Sequence, residues 1–417
     1  MNEIFLAVDL GQSLTKVVYR TDSNSKTNYV LINSNIAFTT VAKLQKYQEL
    51  QGWIGKPRPE MQGWLKLDGF ENNSQVCVLG ELAEKFTTEE QIEESKSSYA
   101  GYKVLAAIGV IVQNHNLNTS KKIRINVGIL LPVNEYQDRQ RLKSYLQEIK
   151  SYSFRDEILK VNWQNTMILP EGGGLVCAKA QSSDLSDNDK YGVLVMGHRN
   201  LTALYFEKGQ MIESASPLLG FRYVLKCVSQ FTSILNEDRL LKAICDASLG
   251  NLSTEKENQN GSSYPDWSKT NAIAQLSTAK DLKLKQKEIE ALSKAINAAL
   301  EIGAENIEKK LLSKVFPPKM DKVIVSGGSS MIFQPFLEKY FNCIVSKNSF
   351  NSSHQYEPIT YKKHFTPIIW EAGQTKKIRE ILELSKSVDD LVLVRRLADS
   401  FCLMSHMITI YKCQTKQ

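Results

Sequence analysis

The chain has 417 residues, 52 Lys and Arg against 45 Asp and Glu, a formal charge of +7 and 42% hydrophobic residues. That composition excludes collagenous, coiled-coil and disordered classes, and at roughly 150 residues per domain it predicts two or three domains, each able to bury a core. The charge is small for the length, and lysines interleave with glutamates, as from Lys280 to Lys294, which describes solvated faces rather than a nucleic-acid groove. The cysteines, at 77, 177, 227, 245, 343, 402 and 413, are widely spaced with no CxxC pair, which points to reduced cytosolic usage without disulfides or a zinc site.

Met1 to Glu3 lead straight into the strand-like Ile4-Phe5-Leu6-Ala7-Val8, without the basic and apolar regions of a signal peptide. The apolar run Val104 to Val112 is far shorter than the ~20 residues that span a bilayer, so a cytoplasmic protein without membrane contact is expected. Ile4–Val8 and Leu14–Tyr19 flank a polar turn and predict a hairpin. From Asn33 to Val76 the pattern loosens, with Trp53 and Trp64 among glycines, Pro57 and Pro59, and reads as an irregular insertion or small subdomain.

Helical periodicity from Gly101 to Asn114 is followed by a buried strand, Ile123–Leu131, and a charged helix from Glu135 to Lys150, an alternation that points to α/β. After Met167–Pro170 come Glu171-Gly172-Gly173-Gly174 and a short apolar helix, then a polar linker from Gln181 to Lys190. A second hairpin follows, 192–195 and 201–206 around Met196-Gly197-His198-Arg199-Asn200. Asn251–Lys269 reads as a loop, Ile289–Leu312 as a long amphipathic helix, and Lys322–Gly328 as a strand running into a glycine turn, with a helix from about Phe333 to Phe341. Leu391–Tyr411 carries apolar residues at helical spacing. Its polar side, read as Asp389, Asp390 and Asp399 beside Arg395 and Arg396, suits packing on a parent domain better than membrane contact.

Several of these turns have the chemistry of phosphate sites. In Asp9-Leu10-Gly11-Gln12-Ser13-Leu14-Thr15-Lys16 the glycine lets backbone approach an anion, turn N–H groups can donate to it, and Lys16 adds a point charge. Asp9 could hold Mg2+ through water, since that ion takes one or two carboxylates and keeps its hydration. Each feature also has a plain reading, as a hairpin or a tight strand-to-helix connection. Glycines before a helix, as at Gly327-Gly328-Ser329, likewise permit close approach of a flat ring or an anion.

The Asp9–Lys16 hairpin, the Pro170-Glu171-Gly172 segment, the second hairpin around Gly197 and the strand and turn Ile324–Ser330, in this order over most of the chain, resemble the actin-like ATPase superfamily. Leu169-Pro170-Glu171-Gly172-Gly173-Gly174 is most similar to the ParM-type plasmid-segregation actins of bacteria and archaea. The resemblance implies a two-domain α/β, actin-like (ribonuclease H-like) fold with a nucleotide cleft between the domains. Residues 1–180 plus about 360–417 would form the first domain, with the insertion at about 33–76, and about 190–360 the second. It assigns Asp9, Gly11, Gln12, Ser13, Thr15 and Lys16 to the first phosphate loop, Gly197, His198, Arg199 and Asn200 to the second, and Gly327, Gly328 and Ser329 to the adenosine loop.

Glu171 would then position or deprotonate the attacking water, although a plain helix-start acid has the same sequence signature. The resemblance further implies ATP or ADP with Mg2+, head-to-tail filaments of the chain with itself, a DNA-bound adaptor partner, and Trp53 and Trp64 on an exposed contact surface. One departure stands out: Val195 occupies the place, two residues before Gly197, where the family usually carries an aspartate. That departure keeps a non-hydrolysing actin relative open as an alternative, and a small-molecule kinase of the same superfamily is a further one.

Overall fold

The computed structural model describes residues 2–22, 25–51, 57–67, 75–86, 98–181, 189–232, 236–254, 264–341, 365–385 and 387–414. The chain divides into two compact units, 1–184 with 374–385 and 393–417, and 185–373 with 386–392. In chain order the leading part contains β1 (Glu3–Leu10), β2 (Leu14–Arg20), β3 (Asn28–Asn33), β4 (Ile36–Thr40), α1 (Val41–Gln51), β5 (Gln62–Leu67), β6 (Gln75–Gly80), α2 (Ala100–Asn114), β7 (Ile123–Leu131), α3 (Arg139–Glu148), β8 (Ser151–Phe154), β9 (Glu157–Pro170) and α4 (Gly173–Gln181). The middle part contains β10 (Lys190–Met196), β11 (Leu201–Glu207), β12 (Gln210–Ala215), α5 (Phe221–Phe231), α6 (Glu237–Thr254), α7 (Asn271–Ala274), α8 (Leu282–Ile307), α9 (Ser313–Val315), β13 (Lys322–Ser326), α10 (Gln334–Phe341) and β14 (Ile368–Trp370). Two helices close the chain, α11 (Thr375–Ile381) and α12 (Val388–Gln414).

The first unit is built on a mixed nine-stranded sheet in the order β3-β2-β1-β7-β9-β8-β5-β6-β4. β1, β7 and β9 run parallel at its centre, and seven of the eight residues of β1 and eight of the nine of β7 are buried, as expected of strands covered on both faces. Alternation along the strands decides what each face meets. Ile4, Leu6 and Val8 of β1 and Ile125, Val127 and Ile129 of β7 share a core with Val104, Leu105 and Ile108 of α2. On the opposite face a Cβ added to Gly128 of β7 would stand 2.6 Å from Met407 Sδ and 2.8 Å from Leu403 Cδ2, so α12 packs there against bare backbone.

The segment read as an irregular insertion or small subdomain contains β4, α1, β5 and the first residues of β6. β4 and β5 both pair antiparallel with β6, and β5 pairs with β8, because their alternating residues close a small core of Ala37, Leu44, Trp64, Val76 and Val78. Trp64 is therefore buried rather than exposed, with the Arg155 guanidinium 5.2 Å from its ring centre. Trp53 lies outside the described residues.

The second unit has a mixed five-stranded sheet, β12-β11-β10-β13-β14, with β10, β13 and β14 parallel. The predicted second hairpin forms, Val195 pairing with Thr202 and Met196 with Leu201. α8 starts earlier than its apolar pattern suggests, because Asp281 caps it: Oδ1 accepts from the N–H groups of Lys283 (3.0 Å) and Leu284 (2.9 Å). Within the predicted loop 251–269, α6 continues to Thr254 and Trp267 is fully buried, its Nε1 donating to Asn297 Oδ1 at 2.8 Å. Residues 255–263, and most of the predicted linker, fall outside the described residues.

Candidate nucleotide-binding site

Asp9, Leu130–Leu131 and Glu171 stand at the same, carboxyl-terminal edge of the first unit's sheet. Asp9 is level with Leu130 on the neighbouring strand, Leu131 with Pro170 on the next, and the Glu171 N–H donates to Leu131 O at 2.7 Å. Ligands of open α/β sheets gather at this edge. β1 and β9 flank β7, so Asp9 and Glu171 are two strands, about 10 Å, apart. Both are buried.

Asp9 and Lys16 face each other across the β1–β2 hairpin and form an ion pair. The turn between them needs glycine, since a Cβ on Gly11 would stand 2.4 Å from Leu14 O. Ser34 donates to Gly11 O, and its hydroxyl also bonds to Thr15 Oγ1 at 3.1 Å, which holds the loop to the residue after β3. Thr15 is thus buried inside the loop, whereas Gln12 is half-buried and Ser13 is exposed.

Asp399 of α12, expected on the polar side of that helix, completes this end of the unit. It is 5% exposed; its Oδ2 accepts from Gly172 N–H at 2.6 Å and its Oδ1 from Leu175 N–H at 3.2 Å. Arg395, expected on the same polar side, is buried too. Burial pushes the Asp399 carboxyl up to about 7; the Gly172 amide opposes this, the Asp9 charge adds to it, and smaller effects come from the Leu175 amide and Glu171. The signal was present in the sequence only as an acid inside an apolar helical stripe, with Ala398 before it and Phe401 and Cys402 after it, all buried.

In the second unit, parallel pairing of β10 with β13 sets Val195 beside Ser326 and brings the two glycine turns together. Gly327 has φ +96°, and a Cβ on it would stand 2.4 Å from Met196 O. Ser329 Oγ lies 2.8 Å from Met196 O and 3.0 Å from Gly197 O, bonding one turn to the other, and Gly328 opens the short 3-10 turn that carries it. The carbonyls of Gly197, His198 and Arg199 accept from the N–H groups of Phe221, Arg222 and Gly220, which seats the turn on the start of α5. The Asn200 amide points inward, donating to Ser216 Oγ at 2.7 Å. Glu371, unremarked in the sequence, is buried just after β14 in a left-handed conformation, φ +48°.

A cleft of 440 Å³ among Phe231, Asn236, Arg239, Ser277 and Glu288 of this unit contains none of these residues. The donor set suits a nucleotide polyphosphate with its cation: turn N–H groups and Lys16 for phosphate oxygens, and the Asp9 carboxylate as a hard oxygen donor for Mg2+. Among the described residues no group of three or more His, Cys, Asp or Glu could hold a metal ion.

Residues 7–174 match the family of actin-like proteins, N-terminal domain. No curated protein matches the chain. Among solved structures it is similar to Bacillus thuringiensis ParM with AMPPNP (12% identity, 95% of this chain and 99% of that one, TM-score 0.54). It is also similar to Ta0583, an archaeal actin homologue (12% identity, 97% and 98%, TM-score 0.53), and to the Alp12 filament structure (14% identity, 99% and 100%, TM-score 0.52). The fold is therefore actin-like. The family match spans the amino-terminal part of the chain, and the likeness to ParM and other actin homologues is one of fold.

Proposed function

We propose that the protein binds ATP with Mg2+, hydrolyses it with the help of Glu171, and uses the cycle to assemble and dismantle head-to-tail filaments of itself in the cytoplasm. The observation that carries this reading is the joint placement of Asp9, Lys16 and Glu171 at one edge of the parallel strands β1, β7 and β9. Asp9 would hold the cation through water, and Lys16 would exchange its contact with Asp9 for phosphate oxygens. Glu171, carried on a turn fixed by backbone bonds, would orient or deprotonate water. In the second unit the Gly197–Arg199 turn is the second phosphate contact and Gly327–Ser329 the adenosine contact.

Filament formation is argued from likeness to the Alp12 filament structure, and nucleotide from likeness to a ParM with AMPPNP. A repeated contact that does not close on itself generates such a filament. Segregation of plasmid DNA through a DNA-bound adaptor is the biological role this reading favours. No membrane role is included; among the described residues no helix is long and apolar enough to cross a membrane. Val195, at the end of β10, supports a second reading in which nucleotide is bound without turnover.

High-speed sedimentation with magnesium–ATP, with ADP and without nucleotide, over a range of protein concentrations, tests the filament. Pelleting above a threshold concentration with ATP is expected, and a protein that stays in the supernatant throughout would overturn it. Phosphate release compared between the wild type and Glu171→Ala tests hydrolysis, with equal near-zero rates favouring the second reading.

A further inference from the structure

The start of α4 lacks a cap of its own. The first N–H groups of a helix have no partner within it, and a Ser, Thr, Asp or Asn just before the helix normally accepts from them. Here that place is held by Gly172, which has no side chain and sits at φ +90°. The acceptor comes from elsewhere in the chain: Asp399, on α12, uses one carboxylate oxygen for the Gly172 N–H (2.6 Å) and the other for the Leu175 N–H (3.2 Å). The positive end of the helix dipole favours an acidic group at this position.

The glycine run after Glu171 is the seat for that contact. A Cβ on Gly174 would stand 2.1 Å from the Asp399 main-chain oxygen and 2.7 Å from its Oδ1, and one on Gly173 would stand 2.8 Å from Leu169 Cβ. Glu171 is therefore fixed on both sides, by its own N–H to Leu131 O at 2.7 Å and by the Asp399 bond to the next residue.

We infer that Asp399 is a positioning residue for Glu171, a remote cap that fixes the turn from which Glu171 reaches water. Its role in this reading is exerted through the Gly172 and Leu175 amides. This rests on the hydrolytic reading above, in which a displacement of about 1 Å at the reacting group costs on the order of a hundredfold in rate. A residue that only stabilised the fold would change stability and leave the turnover of folded protein intact; one that sets the aim of Glu171 must lose its effect once Glu171 is gone.

The test is a double-mutant cycle of Asp399→Asn and Glu171→Ala, read as kcat and KM for ATP by phosphate release, with amide hydrogen exchange of the nucleotide-free proteins. Asparagine has the size of aspartate but only one acceptor oxygen. D399N is expected to lower kcat at least tenfold with KM within twofold, to add less than twofold in the E171A background, and to speed exchange at the Gly172 or Leu175 amide at least tenfold. Should D399N not accumulate as folded protein, Asp399→Ser carries the same arms. Losses that multiply in the double variant, or unchanged exchange at both amides, would overturn the inference. If the wild type releases no more phosphate than E171A, the hydrolytic reading has failed, and the exchange arm still decides whether the cap exists.

Discussion

Gly174 lies so close to Asp399 that a single methyl group on it would stand 2.1 Å from the Asp399 main-chain oxygen. The neighbour is helix backbone, which cannot rotate away as a side chain would. Gly174→Ala is therefore expected to destabilise the protein by about 1–3 kcal/mol or more, the usual range for overpacking a filled site. Gly209 is the control: its φ of +71° disfavours alanine, but nothing lies within 4 Å of the added Cβ, so Gly209→Ala should cost only about 1–2 kcal/mol of backbone strain. Denaturant unfolding of both variants measures the difference, and equal losses would show that α12 does not approach the turn this closely.

The Asp399 carboxyl also makes a prediction about pH. Burial raises it from the ordinary aspartate value near 4 to about 7. Between those values the folded chain keeps a proton that the unfolded chain has released, so stability falls as pH rises through this window and levels off above it, with a slope of at most about 1.4 kcal/mol per pH unit. Asp399→Asn does not titrate, so the stability difference between wild type and D399N should shift against the wild type from pH 4 to 7. A difference that stays constant across that range, measured by urea unfolding, would contradict the burial of a titrating Asp399.

The central sheet was legible because buried parallel strands write themselves as continuous apolar runs: Ile123–Leu131 matches β7 end to end, and both hairpins formed around their polar turns. The region after Asn33 was harder to read, for the opposite reason. Its short strands β4, β5 and β6 are separated by α1 and by glycine- and proline-containing segments, and their pairing with each other and with β8 is long-range, which no local period reveals. Glu171 could be selected from its own segment, since the turn and its glycines are contiguous. Asp399 could not, because its partner Gly172 is 227 positions away and an acid in an amphipathic helix reads first as solvated surface.

Glu171→Gln separates chemistry from binding. Glutamine keeps the size of the side chain but removes the charge that attracts and orients water. General-base or water-positioning groups contribute roughly 10²–10⁴ in rate, so kcat for phosphate release should fall about a hundredfold or more, with ATP affinity within about twofold. Filaments formed with ATP should then persist for longer before dismantling, as followed by light scattering. A wild-type rate in E171Q would remove Glu171 from the reaction.

Asp9 and Lys16 form an ion pair with both side chains largely shielded, 12% and 17% exposed. Removing one partner leaves the other partly buried and uncompensated, so Asp9→Ala and Lys16→Ala are each expected to cost about 1–3 kcal/mol. The double variant should cost less than the sum, because it leaves no orphan charge. The two single variants part company with nucleotide: Lys16→Ala should weaken ATP in the presence or absence of Mg2+, whereas Asp9→Ala should weaken it only when Mg2+ is present. Calorimetric titration with and without EDTA measures both, and an Mg2+-independent loss in Asp9→Ala would remove the cation from its role.

Ser329 offers a corresponding test in the second unit. Its single hydroxyl proton serves Met196 O at 2.8 Å or Gly197 O at 3.0 Å, and that bond joins the turn after β10 to the turn after β13. Ser329 is buried, so Ser329→Ala should cost about 0.5–1.5 kcal/mol for the lost bond, with little cavity to fill because only one oxygen is removed. The turns are also held by the strand pairing of Val195 with Ser326 and by the N–H groups at the start of α5, so the fold should survive. If these turns contact the nucleotide as proposed, loosening the link between them weakens binding of both ATP and ADP by a similar factor, of about three to ten, since adenosine and the inner phosphates are common to both. Ser330→Ala, which removes the bond of a neighbouring hydroxyl to Gly327 O at 2.7 Å, is the comparison. Equal effects of the two substitutions on stability but unequal effects on nucleotide affinity would locate the binding role in the bridge between the turns, and equal effects on both would assign Ser329 to the fold alone.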